Sequence, residues 1–449
     1  MGTARVLLRT RRARREQDAG AVLRALAGDA ARRGRDAVGL RIRGGHIVLL
    51  LDPRLGSELL AEHAADTIKG PGLQRTRDLL GDGLLTSEGA AHTRARRLVA
   101  PAFSPRRLAD YVDIFVRCAR DQTAGWADGA RRDMHAEMGA LTLRIAGLAL
   151  LGIDLSTQAP WVRADLEAAL DRFSGQSVGG WNRAGRHPDG VGPDALGDAD
   201  EATQDADEAV HRLVDDIIEQ RRTTTSEDRG DVVSALLAGS AIPGGLTAAE
   251  VHDHVMTLLM AGHETTANAL TWTLYLLGRH PEVQDRLRAE VGSLDGRPPA
   301  ADDLPSLPYT RAVIAESIRL YPPAWIIGRE LTVDLELAGW RVPAGSIVAI
   351  SPLLLHHDPR WFPDPETFDP DRWLDDRRPA VPRHAYLPFG TGPRSCIGEQ
   401  FAWTEAITVL ALLAQSWAFG AEPGFEATPS YQVTLRPAGE VPMTLHAVP

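Results

Sequence analysis

Only two cysteines, Cys118 and Cys396, occur in 449 residues. That scarcity excludes a disulfide framework and any zinc or iron–sulfur site built from several thiolates. Lysine is scarcer still. Lys69 is the sole one, an arginine bias that points to a G+C-rich bacterial genome rather than a physical adaptation. The first residues have no long apolar run, and no transmembrane anchor is expected. Basic surface is also lacking overall, since the net charge of −11 argues against a nucleic-acid binder. The length allows two or three domains, yet no Gly/Ser or charge-block linker separates them, so one large domain is possible. The arginine-rich start, Arg5 to Arg15, lacks the apolar core of a signal peptide and reads as a solvated tail over 1–20. An arginine-rich transit peptide is the alternative, with nothing downstream to support it. The chain therefore reads as a soluble, cytoplasmic protein.

The stretch richest in chemistry is Phe389-Gly390-Thr391-Gly392-Pro393-Arg394-Ser395-Cys396-Ile397-Gly398. Glycines at 390, 392 and 398 permit conformations and close approaches that a Cβ would forbid, and Pro393 stiffens the turn. A sulfur at the start of the helix expected from Ile397 to about Ser416 would see unpaired N–H groups and the positive end of the dipole. Both favour thiolate over thiol, the form that binds a metal. Taken alone, however, Cys396 reads as an ordinary buried cysteine in a tight loop. Cys118, in a glycine-free helical pattern, reads as packing.

Earlier in the chain, residues 40–51 look like a β-hairpin around Gly44-Gly45, and a glycine-rich loop from Gly70 to Gly83 leaves Leu84 and Leu85 exposed unless something covers them. His92 and Arg96, four apart, would project from one helix face and together hold an anionic group; a solvated basic face explains them equally well. Apolar helices are expected over 136–152 and 160–174, and an acidic one over about 198–222. The breaker-rich stretch between, 175–195, is expected to be a lid.

A long helix should run from Thr247 to about Arg279. At its middle, Ala261-Gly262-His263-Glu264-Thr265-Thr266 opposes helix propensity, glycine alone costing about 1 kcal/mol against alanine. A small pair leaves room beside the helix, the Thr265 hydroxyl can bond back to a carbonyl or hold water, and Glu264 is an adjacent acid. Together these suit a proton relay. Close packing at Gly262 with a solvated Glu264 is the plainer explanation. A zincin motif is excluded, because Ala267 stands where the second histidine is required.

The helix beginning at Pro308 carries Glu316 and Arg319, three apart and able to pair; if exposed, such a pair is worth about 0–1 kcal/mol. Short strands follow between Arg329 and Ile350, then a proline-dense packed meander to Trp373 from which Arg372 could join the pair. A final hairpin, 431–435 with 441–446, closes the chain.

Four of these motifs, in this order, resemble those of the cytochrome P450s, the haem-thiolate monooxygenases, over nearly the whole chain from about residue 40. The signature loop is matched at Phe389, Gly392, Arg394, Cys396 and Gly398, the Glu-x-x-Arg helix at Glu316 and Arg319 with Arg372, and the oxygen-activating helix at Ala261, Gly262, Glu264 and Thr265. Their conjunction outweighs the plainer explanation of each.

The resemblance implies a mainly α fold with small β-sheets, an α-rich domain plus a β-rich lobe, over residues 21–449. It implies haem b with Cys396 as iron ligand, Phe389 packed beside the sulfur, and Arg394, Arg329, His92 and Arg96 on the propionates. His92 departs from the tryptophan of many members. Thr265 and Glu264 would deliver protons to bound O2, and one oxygen atom would enter a C–H bond of a hydrophobic small molecule of secondary metabolism. Substrate contacts would come from Leu84, Leu85, Leu258, Ala261, Ala324, Trp325, Ile326 and the final hairpin. Electrons from NAD(P)H would arrive through a separate ferredoxin or flavodoxin and its reductase, docking at Arg94, Arg97, Arg106 and Arg107, and the protein would be a monomer. A peroxide-driven peroxygenase or haem isomerase, or a non-catalytic thiolate-haem sensor, are the alternatives.

Overall fold

The computed structural model describes residues 19–42, 45–156, 201–224, 230–242, 245–374, 381–382 and 384–448. Residues 1–18 of the tail, the expected helix over 160–174 and the expected lid over 175–195 lie outside them.

The central element is the helix Ala248–Arg279, which we call α7 in chain order after α1 (Ala19–Arg32), α2 (Gly89–Val99), α3 (Pro105–Thr123), α4 (Met134–Ala146), α5 (Glu201–Thr224) and α6 (Val232–Ser240). Its start is fixed by a capping box: the Thr247 hydroxyl accepts from the Glu250 N–H while the Glu250 carboxylate accepts from the Thr247 N–H. From Thr266 to Leu277 every residue is buried, so this half packs on all sides as a core helix does. Helix α4 crosses it, and Gly262 permits the contact with the π-helical turn after α4: a Cβ there would stand 3.0 Å from Leu150 Cδ1. The apolar run Met134–Leu151 has the length and composition of a membrane span but is 67% buried, and it packs as core.

Helices α8 (Pro281–Val291), α9 (Pro308–Leu320) and α10 (Glu399–Ser416) complete the larger core around α7. Prolines at the first position of α8 and α9 sit where a missing N–H costs nothing. Cys118 is fully buried on α3, and burial pushes its thiol up to about 11, as suits packing.

A second, smaller core lies in the β-rich lobe. Its five-stranded sheet runs β1 (Ala37–Ile42), β2 (Gly45–Leu50), β8 (Ile347–Ile350), β5 (Ile327–Leu331), β3 (Thr67–Lys69), with β2 and β8 parallel and the other pairs antiparallel. The hairpin expected over 40–51 is therefore present as β1 and β2. A two-stranded β6 (Leu335–Leu337) and β7 (Trp340–Val342) sits between β5 and β8 in sequence.

The final hairpin is not formed as expected. Instead β10 (Pro429–Tyr431) turns back on β11 (Leu435–Pro437), while β12 (Pro442–Ala447) pairs with β4 (Arg131–Asp133) and β9 (Trp417–Ala421). Alternation alone gave the strands but not their partners, which lie far apart in sequence.

Candidate active site

The loop before α10 is shaped by backbone approach. Gly390 and Gly392 have φ of 68° and 75°, and a Cβ on Gly392 would lie 2.3 Å from the Leu60 carbonyl oxygen. Gly398 has no such need, since a Cβ there would meet only ordinary contacts at 3.7 Å and beyond. The Cys396 N–H donates to the Phe389 carbonyl at 3.0 Å, and the Phe389 ring packs against Trp403 at 5.8 Å.

Cys396 lies deep among protein atoms, and that burial pushes its thiol up; a Gly398 N–H hydrogen bond and the charge of Arg96 only partly oppose it. Yet the side chain retains free surface. Enclosure by protein together with free surface describes a group facing an internal hollow. The same combination recurs on α7, where Ala261 is exposed and Gly262, Glu264 and Thr265 are half-exposed in the middle of a helix otherwise closed on both sides.

On α7 the Thr265 hydroxyl donates to the Ala261 carbonyl at 3.1 Å, the back-bond expected of a mid-helix threonine. Glu264 is not merely solvated: the Thr434 hydroxyl donates to its carboxylate at 2.6 Å. Among the expected substrate residues, Leu84 and Leu258 are buried, Leu85, Ala324 and Ile326 are half-buried, and Trp325 is buried with its N–H on the Gln432 carbonyl at 2.8 Å. Leu84 is thus covered, and Leu85 is partly covered, packed against the main core.

His92, Arg96, Arg329 and Arg394 come together from α2, β5 and the cysteine loop, each of the three arginines close enough to act on the His92 ring, and Glu88 is the carboxylate that Arg394 bonds. Arg394 donates to Glu88 at 2.6 Å, to the Thr67 carbonyl at 2.9 Å and to the Ala64 carbonyl at 3.1 Å, and Arg96 to the Ser395 carbonyl at 2.7 Å. Arg329 is buried and donates to the Gly328 carbonyl at 2.9 Å, and burial followed by the charge of Arg394 lowers it to about 10. His92 is pushed down to about 4 by burial and by Lys69, Arg394, Arg96 and Arg329, so it is neutral at pH 7. Sequence reasoning missed Lys69, whose buried ammonium donates to the Ser87 and Leu84 carbonyls at 2.5 and 3.2 Å. Burial and its cationic neighbours lower it to about 8, against the raising effect of Glu88. The signal was present in its being the chain's sole lysine.

Glu316 and Arg319 are fully buried, not surface-exposed. Arg319 Nε and Nη2 meet the two carboxylate oxygens at 2.8 and 2.9 Å, and Arg372 Nε joins at 3.3 Å. The remaining capacity is filled by the Asp369 N–H and Trp373 Nε1 on Glu316 and by the carbonyls of His356, Pro365 and Thr367 on Arg319. This knot ties α9 to the meander that leads into the cysteine loop.

A thiol facing a hollow, a helix with acid and alcohol at a gap, and a buried excess of cations define a haem-thiolate protein. The chain belongs to the cytochrome P450 family, whose model matches residues 29–438. It is 40% identical to cyclooctatin synthase of Streptomyces melanosporofaciens, covering 89% of this chain and 86% of that one. It is 38% identical to the cyclooctat-9-en-7-ol 5-monooxygenase of the same organism (87% and 83% covered) and 37% identical to pentalenene oxygenase of Streptomyces avermitilis (89% and 88%). Among solved structures it resembles the cytochrome P450DA heme domain, with a TM-score of 0.81, 27% identity and 94% and 92% coverage. The α-rich body and β-rich lobe are thus the family's fold, and the protein is a monooxygenase.

The family's cofactor is haem b with a cysteine thiolate ligand, and the residues present fit it. A buried guanidinium at 329, an ammonium at 69 and two further arginines around one carboxylate leave positive charge uncompensated, as a site for two propionates requires.

Proposed function

We propose that this protein hydroxylates a terpene hydrocarbon or terpene alcohol of bacterial secondary metabolism at a C–H bond held between α7 and the 431–435 turn. The observation that carries the reaction class is the pairing of a deep cysteine having free surface with the Ala261 gap. Both retain free surface inside an otherwise buried setting, as a bound prosthetic group and substrate would require. Support for the terpene comes from three relatives whose names refer to cyclooctatin, cyclooctat-9-en-7-ol and pentalenene. Residues 21–449 act as one haem-binding domain.

Bound haem would supply the activation of O2, one oxygen atom going to carbon and the other leaving as water with two electrons and two protons, and a Cys396 thiolate would supply electron density that favours O–O cleavage. The chain's own residues do the rest. Cys396 is the iron ligand; the Gly398 N–H at its sulfur tunes the charge it carries. Arg394, Arg329, Arg96, neutral His92 and Lys69 hold the propionates. Thr265 accepts a hydrogen bond at the oxygen site and passes on a proton supplied through Glu264. Leu84, Leu85, Leu258, Ala261, Ala324, Trp325 and Ile326 exclude water from the substrate side.

Electrons come from NAD(P)H through a ferredoxin or flavodoxin and its reductase, and the protein works as a cytoplasmic monomer. Of the four arginines expected to dock the partner, Arg97 and Arg106 are exposed, whereas Arg94 is engaged by Glu250 and Arg107 lies 3.7 Å from Asp110. The docking role therefore falls to Arg97 and Arg106. Replacing both with glutamine should slow reduction and weaken its salt dependence.

The deciding experiment is a Cys396→Ser variant. It should lose the thiolate-type carbon monoxide spectrum, and survival of that spectrum would refute the ligand assignment. With the wild-type chain, cyclooctat-9-en-7-ol and pentalenene should be screened for the ferric spin-state change that accompanies water displacement. Product formed only with redox partners and NADPH supports the monooxygenase, and product from peroxide alone would favour a peroxygenase.

A further inference from the structure

The carboxylate of Glu264 is reached by a residue from the far end of the chain, and the bonds around that residue point one way. Thr434 Oγ1 lies 2.6 Å from Glu264 Oε1 and 3.2 Å from Asn268 Nδ2. An amide nitrogen only donates, so it takes a lone pair of the threonine oxygen. The hydroxyl hydrogen is then free to point at the carboxylate, making a charge-assisted bond when Glu264 is ionised. Thr434 and Asn268 are 7% and 1% exposed, so water competes little for these bonds. Glu264 and Asn268 lie one turn apart on α7, which places the threonine between them.

The turn carrying Thr434 is itself fixed. Leu435 N–H donates to the Pro323 carbonyl at 2.9 Å, Trp325 Nε1 to the Gln432 carbonyl, and Tyr431 packs on the Trp325 ring at 5.3 Å. Arg24 on α1 donates to the Tyr431 hydroxyl at 2.8 Å. With the turn tied down at Tyr431, Gln432 and Leu435, its threonine is a rigid donor, whereas one on a loose strand would not be.

We propose that Thr434, oriented by Asn268, is the positioning residue that fixes the Glu264 carboxylate for proton delivery, so that the wall formed by the 431–435 turn and the proton path form one mechanical unit. The inference rests on the proton-relay reading of Glu264 above. Neither Thr434 nor Asn268 touches the reacting atoms in this scheme. Their effect passes through the rotamer and ionisation of Glu264.

The test uses the holoenzyme with a plant-type ferredoxin, its reductase, NADPH and dioxygen, without organic substrate, so no unidentified ligand is involved. Each dioxygen reduced to hydrogen peroxide takes two electrons and two protons, and each reduced to two waters takes four of each. Proton supply therefore sets the split between them. Thr434→Val should raise the ratio of peroxide to water about 10-fold and enlarge the solvent isotope effect, with the carbon monoxide spectrum unchanged. Thr434→Ser, which keeps the donor, should return the ratio to within about 2-fold. A second readout needs no turnover: in holoenzyme melts, the loss of midpoint caused by Thr434→Val should shrink in a Glu264→Leu background, as coupled neighbours require. If Glu264→Gln shifts the split while Thr434→Val leaves both split and melt coupling unchanged, the positioning role is overturned. If Glu264→Gln itself has no effect on the split, the proton-relay reading fails, and this inference falls with it. A Thr434→Ser variant as impaired as Thr434→Val would make the effect one of packing and overturn the hydrogen-bond role.

Discussion

Arg319 and Glu316 meet through two parallel hydrogen bonds of 2.8 and 2.9 Å with no solvent access to either side chain. Every further bonding position on the pair is taken by Arg372, Trp373 and backbone groups of the meander. Removing Arg319 leaves the buried Glu316 carboxylate with only the longer Arg372 contact as an ion partner, and breaking a buried pair in this way costs about 3–5 kcal/mol. Arg319→Leu should therefore lower the urea midpoint severely or prevent folding. Glu316→Leu combined with Arg319→Met should recover part of that loss, since two apolar groups leave no orphan charge. Equilibrium unfolding of the three variants checks this, and a double variant worse than either single would contradict it.

Gly392 is the tightest point of the cysteine loop. An added Cβ would be 2.3 Å from the Leu60 carbonyl oxygen and 2.9 Å from Ala61 Cα, both backbone atoms that cannot swing aside. Its φ of 75° adds strain for any other residue. Gly392→Ala should displace the loop and lower haem content, read as the ratio of haem to protein absorbance. Gly398→Ala, whose Cβ meets nothing closer than 3.7 Å in the protein, provides the comparison and should retain the fold in thermal melts.

How much of this was legible beforehand depended on the range of the cause. The limits of α7 and the turn at Gly392 are set by neighbouring residues, through the Thr247 box and the positive φ, so they can be read from sequence. The burial of Glu316 and Arg319 is decided by the meander that carries Asp369, Arg372 and Trp373, which the spacing of the pair alone does not show. Thr434 was invisible for the same reason, as its partner Glu264 lies 170 residues away. Lys69 was visible as an oddity of composition, but its role depends on β3 pairing with β5, which brings it beside Arg329. The partners of β12 were missed because alternation does not specify which edge a strand joins.

Glu405 on α10 is fully buried, and neither carboxyl oxygen has a well-formed hydrogen bond among the described residues. Burial raises its pKa well above the usual 4.5, and the nearby Thr266 hydroxyl only partly opposes this. A raised carboxyl pKa contributes stability that is fully present below the unfolded value and lost as pH rises toward the folded one. Between them the unfolded state sheds a proton that the folded state keeps, at about 1.4 kcal/mol per pH unit. Glu405→Gln removes that dependence. Its melting temperature should exceed wild type by a margin that grows from pH 5 upward, and a margin independent of pH would show that the buried acid is ionised or hydrated.

The cations around Glu88 should make haem retention electrostatic. Arg329 is the clearest case, because it is buried, lowered to about 10 and, among the described residues, its guanidinium bonds only the carbonyl of its neighbour Gly328. A propionate there would gain a charge-assisted bond free of competition from water, worth about 1.5–3 kcal/mol. Arg329→Leu should accordingly release haem about 10- to 100-fold faster to an excess of apomyoglobin. Lys69→Met should act in the same direction but less strongly, since its ammonium is already shared by the Leu84 and Ser87 carbonyls. With Lys69 lowered to about 8 before haem binds, and raised again by a bound propionate, haem affinity in wild type should fall as pH climbs past that value. The Lys69→Met protein should lack that alkaline fall. Should the two proteins show the same pH profile, Lys69 is a strut for the 84–87 backbone and not part of the cofactor's charge balance.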